Sequence, residues 1–192
     1  MRKLAYLREE HVWYQCDLAG AIARRELPEG MRLVRADAEQ IRFVVPLGQD
    51  LEEARKRFES GTDLWLVFDG DEPLFLCFTF RHATPVMAAT DGTLALPAGA
   101  ACLEDSLTVP AARGRGIASA VWALVGEQLS EDGFTTLVAK IETDNVASMR
   151  VAENAGFRPV AVMAHQRTGV RRRTAVRALG GGLGDELAAR LS

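Results

Sequence analysis

Val109-Pro110-Ala111-Ala112-Arg113-Gly114-Arg115-Gly116-Ile117-Ala118 decides how this chain is read. The stretch ends an apolar run, turns through two glycines and opens a long amphipathic pattern. Strand, Gly-containing turn and helix N-terminus, in that order, make an anion site. The amides of a first helical turn have no intrahelical acceptor, and the helix dipole adds partial positive charge to them. Glycine lets the backbone approach a phosphate without a Cβ in the way. Arg113 and Arg115 add charge-assisted donors at the rim. A plain βα turn, in which glycine only eases the reversal, fits the same ten residues.

Two nucleotide motifs fail on the residues themselves. A Walker-type loop needs Gly-Lys-Ser/Thr at the helix start, and Gly116-Ile117-Ala118 has neither the lysine nor the hydroxyl. A dinucleotide fingerprint beginning at Gly114-Arg115-Gly116 places Ser119 at its third small position. It also wants an acidic residue about 20 positions on, at the end of a strand. Phe134-Thr135-Thr136 opens a strand there instead.

Outward from the turn, 101–109 is expected as the strand that feeds it. The helix from Gly116 to about Ser130 buries Ile117, Val121, Leu124, Val125 and Leu129, a 3.6-residue stripe. A strand over 135–141 and a helix over 145–155 follow, with Gly156 as the helix C-cap. Two antiparallel strands, 157–164 and 174–179, are expected about Arg171-Arg172-Arg173, read as a solvated hairpin tip. Upstream, Asp50 and Glu53 cap a helix running to about Ser60, and 63–80 forms a β-hairpin through Asp69-Gly70-Asp71. The loose stretch 81–101 holds one short strand at Thr93-Leu94-Ala95-Leu96, and a connection that long is functional or mobile. The opening mixes a strand over 11–16 with a helix-like 18–27. The end is a glycine linker, 180–184, and a frayed tail, with a short helix over 185–192 docking on a partner as the alternative. The expected organisation is an N-terminal extension (1–28), one domain (29–180) and a flexible C-terminal segment (181–192).

At 192 residues and 48% hydrophobic, the chain can bury the core of a single domain. A net charge of −3 argues against nucleic-acid binding by bulk electrostatics. Cys16, Cys77 and Cys102 are scattered, without a CxxC or Cys/His pair, so they read as core residues and no metal is expected. Met1-Arg2-Lys3-Leu4 is soon followed by Arg8-Glu9-Glu10, which breaks any secretory signal, and no uncharged run of about 18 apolar residues could span a bilayer. The expectation is a soluble cytoplasmic protein with no membrane or nucleic-acid partner.

A family resemblance sharpens the reading. Arg113-Gly114-Arg115-Gly116-Ile117-Ala118, preceded by Leu107-Thr108-Val109-Pro110, resembles the pyrophosphate signature Arg/Gln-x-x-Gly-x-Gly/Ala of the GNAT N-acetyltransferase superfamily. Asp144-Asn145-Val146-Ala147-Ser148, leading into Ala152-Glu153-Asn154-Ala155-Gly156-Phe157, resembles the family's Asn-x-x-Ser/Ala helix closing in Gly-Phe. The likeness is tight over 104–163 and loose over 30–103. It implies an α/β fold, a single mixed, mostly antiparallel twisted sheet flanked by helices. It also implies an acyl-CoA cosubstrate, most often acetyl-CoA. The pyrophosphate would rest on Arg113, Gly114, Arg115, Gly116, Ile117 and Ala118. The pantetheine arm would pair with the backbone of Leu107 and Val109 as an added strand, with Asn145 and Ser148 beside it.

Acyl transfer to an amine needs a proton acceptor, a stabilised oxyanion and an acid for the thiolate. Glu104 and Asp105 are the candidate bases. Strand alternation puts them on opposite faces, Glu104 with Ser106 and Thr108, Asp105 with Leu103 and Leu107. An acid on the apolar face is costly, so Glu104 is favoured, with a water chain as the alternative. The family's acid tyrosine, four residues before the closing glycine, is Ala152 here, which leaves Ser148, Tyr14 or water. Lys140 stands where ribosomal-protein N-terminal acetyltransferases carry a glutamate base. The expected acceptor is a small amine such as an amino sugar, enclosed by 81–101 and the N-terminal region. A protein N-terminus or lysine, and a non-catalytic acyl-CoA-binding module, are the alternatives, and a homodimer is admitted.

Overall fold

The computed structural model describes residues 6–20, 25–89 and 91–191. In chain order its elements are β1 (Tyr6–Asp17), β2 (Met31–Arg35), α1 (Leu51–Glu59), β3 (Asp63–Asp69), β4 (Glu72–Phe80), β5 (Ala83–Pro85) and β6 (Thr93–Ala95). β7 (Ala100–Thr108), α2 (Ile117–Glu131), β8 (Thr136–Glu142), α3 (Val146–Asn154), β9 (Arg158–Thr168), β10 (Arg171–Ala178) and α4 (Leu183–Leu191) complete it. The main sheet runs β10-β9-β1-β8-β7-β4-β3-β2, while β5 and β6 form a separate hairpin. Every adjacent pair is antiparallel except β7 and β8. The mixed, mostly antiparallel sheet flanked by helices is therefore present.

Apolar clusters cover both faces of this sheet, which is why β3 and β4 read as nearly continuous hydrophobic runs. On one face Ile117, Val121, Trp122, Val125 and Leu129 of α2 and Ala152 of α3 pack with Val67, Phe75, Leu103 and Leu137. On the other, Ala54 of α1, Leu94 of β6 and Leu187 of α4 pack with Trp13, Leu64, Phe78 and Met163. Asp50 caps α1 by accepting from the Glu53 amide at 2.8 Å.

The parallel pair sets the geometry of the site. β7 and β8 pair from Ala100↔Thr136 to Leu103↔Ala139 and no further. β7 runs on to Thr108 and β8 to Glu142, so the sheet opens between them and backbone groups are left facing the gap.

Both chain ends depart from expectation. Residues 6–17 are no extension: β1 lies inside the sheet, antiparallel to β8 and to β9, with Trp13 and Tyr14 buried. The strand expected over 11–16 is part of it; the charged Arg8-Glu9-Glu10 hides the first half from a local reading, and its partners in the sheet are more than a hundred residues away. The helix expected over 18–27 is a turn at Leu18–Gly20, with no helix at 25–27; residues 21–24 lie outside the described residues. At the other end the expected frayed tail is α4, docked on β9 and β10 through buried Leu187 and Leu191. Gly184, expected in a flexible linker, is a close-approach residue, since a Cβ there would stand 2.3 Å from the Val160 carbonyl oxygen. Arg171, Arg172 and Arg173 begin β10, and the hairpin tip is Gly169-Val170.

Candidate active site

A cavity of about 590 Å³ occupies the opening between β7 and β8, within the range of small-molecule sites. Arg113, Gly114, Gly116, Ile117 and Ala118 line it from the turn, and Asn145 and Ser148 from α3. Gly114 and Gly116 have φ of 77° and 80°, the left-handed region that glycine enters without penalty. Gly116 is the N-cap of α2 and supplies no side-chain cap, so the first-turn amides stay open toward the cavity. The Arg113 Nε donates to the Thr108 carbonyl at 3.2 Å, which ties the turn to the end of β7. Asn145 caps α3, its Oδ1 accepting from the Ser148 amide at 3.0 Å. The cap occupies the oxygen only; the Nδ2 donors of this cavity-lining residue remain.

The backbone of β7 faces differently from expectation. The Val109 N–H donates to the Leu74 carbonyl at 2.9 Å, so Val109 turns its polar groups toward β4. Leu107, two residues back and paired with Leu76, turns the same way. Ser106 and Thr108 therefore face the opening. Leu107 lines the cavity, but Val109 and Arg115 do not.

A second cavity, about 380 Å³, adjoins the first and shares Ser106, Trp122, Asn145 and Ser148 with it. Its far side carries Glu104, Asp105, Lys140, Glu142 and His11. The alternation expected for Glu104 and Asp105 fails at a β-bulge: Phe78 pairs with Glu104 but Leu76 with Leu107, so β7 holds one extra residue. Asp105 takes up the irregularity with φ of 51°, the one positive φ outside glycine among the described residues. Both carboxylates consequently lie on the α1 side of the sheet. Asp105 pairs with Arg57 of α1, whose guanidinium lies 4.9 Å from the centroid of the Phe78 ring. Glu104 accepts from the Thr84 hydroxyl, from the Cys102 thiol at 3.6 Å, and meets the Lys140 Nζ at 3.4 Å. All three partners converge on Oε1; Oε2 has none among the described residues.

The stretch 81–101 does not line this cavity; through Thr84 and Pro85 it holds two of the side chains that do, Glu104 and Lys140. Besides Thr84, the Pro85 carbonyl accepts from Lys140 at 2.6 Å. α4 braces the hairpin, Arg190 donating to the Ala95 carbonyl at 2.8 Å. Cys102 is not a nucleophile in waiting: burial, and next the Glu104 charge, push its thiol well above the ordinary range.

Trp122 and Ser106 were not singled out by sequence. Trp122, buried at the junction of the cavities, donates Nε1–H to Ser106 Oγ at 3.1 Å. Its signal was position, one helical turn after Ala118. Of the groups considered in place of the missing tyrosine, Ser148 lines both cavities and Tyr14 neither. Ala152 is fully buried and also lines neither. Among the described residues no group of three or more His, Cys, Asp or Glu could hold a metal ion, and no helix is long and apolar enough to cross a membrane.

The chain matches the model of the acetyltransferase (GNAT) domain over residues 22–158. No curated protein matches it in sequence. Its fold is similar to that of a GCN5-related N-acetyltransferase from Sphaerobacter thermophilus, with a TM-score of 0.62 and 15% identity, covering 85% of this chain and 53% of that one. An acetyltransferase from the GNAT family from Colwellia psychrerythraea superposes with a TM-score of 0.60 and 17% identity, covering 85% and 57%. AAC(6')-Iy in complex with the bisubstrate analog CoA-S-monomethyl-acetylneamine gives a TM-score of 0.55 and 14% identity, covering 67% and 90%. The chain spans little more than half the length of the first two structures. The domain match takes in most of the chain, including the Gly turn and the helix after it, and the chain belongs to the GNAT acetyltransferase family.

Proposed function

We propose that this protein is an N-acetyltransferase that moves an acetyl group from acetyl-CoA to the primary amine of a small molecule, by direct attack in a ternary complex. The observation that carries the reading is the joining of two unlike cavities at the parted strands, one walled by helix-turn amides, the other by carboxylates. The turn 113–118 holds the pyrophosphate on its amides, and the backbone of Ser106 and Thr108 pairs with the pantetheine arm. The cosubstrate supplies a thioester, whose acyl carbon the amine attacks.

Glu104 is the base. Oε1 is fixed by its three partners, while Oε2 takes the proton that the amine must lose, directly or through one water. Ser148, reaching both cavities, protonates the departing sulfur or holds the water that does so. Burial of Cys102 in its protonated form favours direct transfer over an acyl-cysteine intermediate. A small acceptor fits a cavity of about 380 Å³ whose Glu104 and Lys140 are held by Thr84 and Pro85 of β5, and AAC(6')-Iy, captured with a CoA–acetylneamine conjugate, makes an amino sugar the first class to try. Three buried free cysteines suit a reducing, cytoplasmic setting.

Thiol release from acetyl-CoA across a panel of amino sugars, amino acids and peptides tests the reading. Release that depends on an amine supports it. CoA binding without release on any amine would leave a binding module, the role that the absence of a tyrosine at Ala152 favours.

A further inference from the structure

His11 belongs to no motif of this chain, yet it stands in the acceptor cavity. It pairs with Glu142 on β8, two residues from the Trp13↔Lys140 pair, so His11, Lys140 and Glu142 share one face of the sheet. The residue is 7% exposed, and its Nδ1 is buried without a partner among the described residues. Burial, reinforced by the Lys140 charge, brings its pKa from 6.5 down to about 4, so the imidazole is neutral at physiological pH.

A buried polar atom with no partner costs stability, and an apolar side chain would avoid that cost. The surrounding groups do not satisfy it. Lys140 is already committed to Pro85 and Glu104, and the remaining charges facing the cavity, Glu104, Asp105 and Glu142, are carboxylates. Those carboxylates attract an amine. A neutral imidazole instead offers one donor and one acceptor. A hydroxyl next to an amine can donate or accept, and so answers whichever of the two roles Nδ1 presents.

Resting on the acetyltransferase reading above, we propose that His11 sets acceptor specificity, and that the acceptor is an amino alcohol whose hydroxyl completes the hydrogen bonding of the imidazole. An amino sugar is one member of this class; a plain alkylamine is not. A site that leaves a buried polar group unpaired rejects the analogue lacking the hydroxyl.

The test compares 2-aminocyclohexanol with cyclohexylamine, and glucosamine beside them, in the wild type, His11→Leu and His11→Asn. With acetyl-CoA, wild-type kcat/KM should favour the amino alcohol by at least about tenfold. His11→Leu should reduce that preference to near unity, mainly through acceptor KM, with CoA affinity unchanged and Tm equal or higher. His11→Asn, which keeps a polar group close to the Nδ1 position, should restore part of the preference. An undiminished preference in folded His11→Leu overturns the proposal. So does a His11→Leu variant that loses stability, because His11 would then be holding the strand and not waiting for a ligand. Calorimetry of the same amines with the CoA-saturated protein reads the preference without turnover. A His11-dependent preference in binding, with no thiol released, would sink the acetyltransferase reading and keep this one; amines that bind without such a preference, or do not bind, would sink this one.

Discussion

The proposed cofactor cavity is walled by the end of β7, the turn into α2 and the length of α3, whereas the proposed acceptor cavity gathers side chains from β1, β7 and β8, with Trp122, Asn145 and Ser148 shared between the two. The first works through backbone: open amides at a helix start, glycines with left-handed φ, parted strand edges. The second works through side chains whose roles depend on partners far away in sequence. Thr84 and Cys102 orient Glu104; Pro85 pins Lys140; β1 brings His11. A backbone site tolerates sequence drift around its glycines. A side-chain site can change its substrate by exchanging a strand residue, while the neighbouring cavity keeps the same cosubstrate. The two should therefore fail separately under mutation.

The largest expected separation is in turnover. Glu104→Gln should lower kcat by roughly 10²–10⁴ at neutral pH while CoA affinity holds. Steady-state rates with calorimetry check this, and the residual rate should recover as pH rises and more free amine arrives deprotonated. If Asp105→Asn shows the loss instead, the base is the other carboxylate of the bulge and the division into two cavities survives.

Gly116→Asp should break the other cavity alone, weakening CoA by at least about 100-fold through charge repulsion and loss of bare backbone. A Cβ at this position meets nothing within 4 Å, so the fold bears only the strain of a left-handed non-glycine residue, about 1 kcal/mol. Unchanged CoA affinity in the folded variant would make the turn merely structural.

Leu187→Ala tests the brace behind the acceptor wall. It should cost about 2–5 kcal/mol of stability, since Leu187 is buried where α4 meets the sheet. Chemical denaturation gives the number, and CoA affinity of the folded fraction should not change. A near-zero cost would show that α4 does not dock as described.

The smallest effect concerns pH. His11 in the folded protein has its pKa at about 4, below the ordinary 6.5, so the unfolded chain binds a proton that the folded chain refuses. The stability present above pH 6.5 is lost as pH falls toward 4, by at most about 3 kcal/mol. His11→Leu should lack this component. Parallel stability curves for wild type and variant across that window would contradict the buried neutral imidazole.

The same division explains what was legible in the sequence. The helix over Ile117–Glu131, the β3–β4 hairpin and the Gly turn carry local signals, a 3.6-residue stripe, a turn dipeptide and glycines in order. On the acceptor side the sequence offered the pair Glu104-Asp105 but not the way they face. A single extra residue at Asp105 turned both carboxylates to one face, and alternation has no means of announcing a bulge. The same arithmetic applies to Leu107 and Val109, whose backbone direction is set by pairing with β4 and not by their side chains. Of β1 only 11–16 was legible as a strand, and α4 was read as a tail, because what orders both is packing against β8, β9 and β10, while their own stretches look charged or glycine-rich.

A CoA site at the open turn 113–118 must be separable from the carboxylate-lined cavity beside it. Calorimetric titration of CoA into the wild type, Glu104→Gln and Gly116→Asp tests it most directly, with thermal melts run alongside. Affinity should be equal for the wild type and Glu104→Gln and at least about 100-fold weaker for Gly116→Asp, with about 2.7 kcal/mol of added stability for the first two at 100 times the dissociation constant. No heat and no thermal shift for the wild type at millimolar CoA would contradict it.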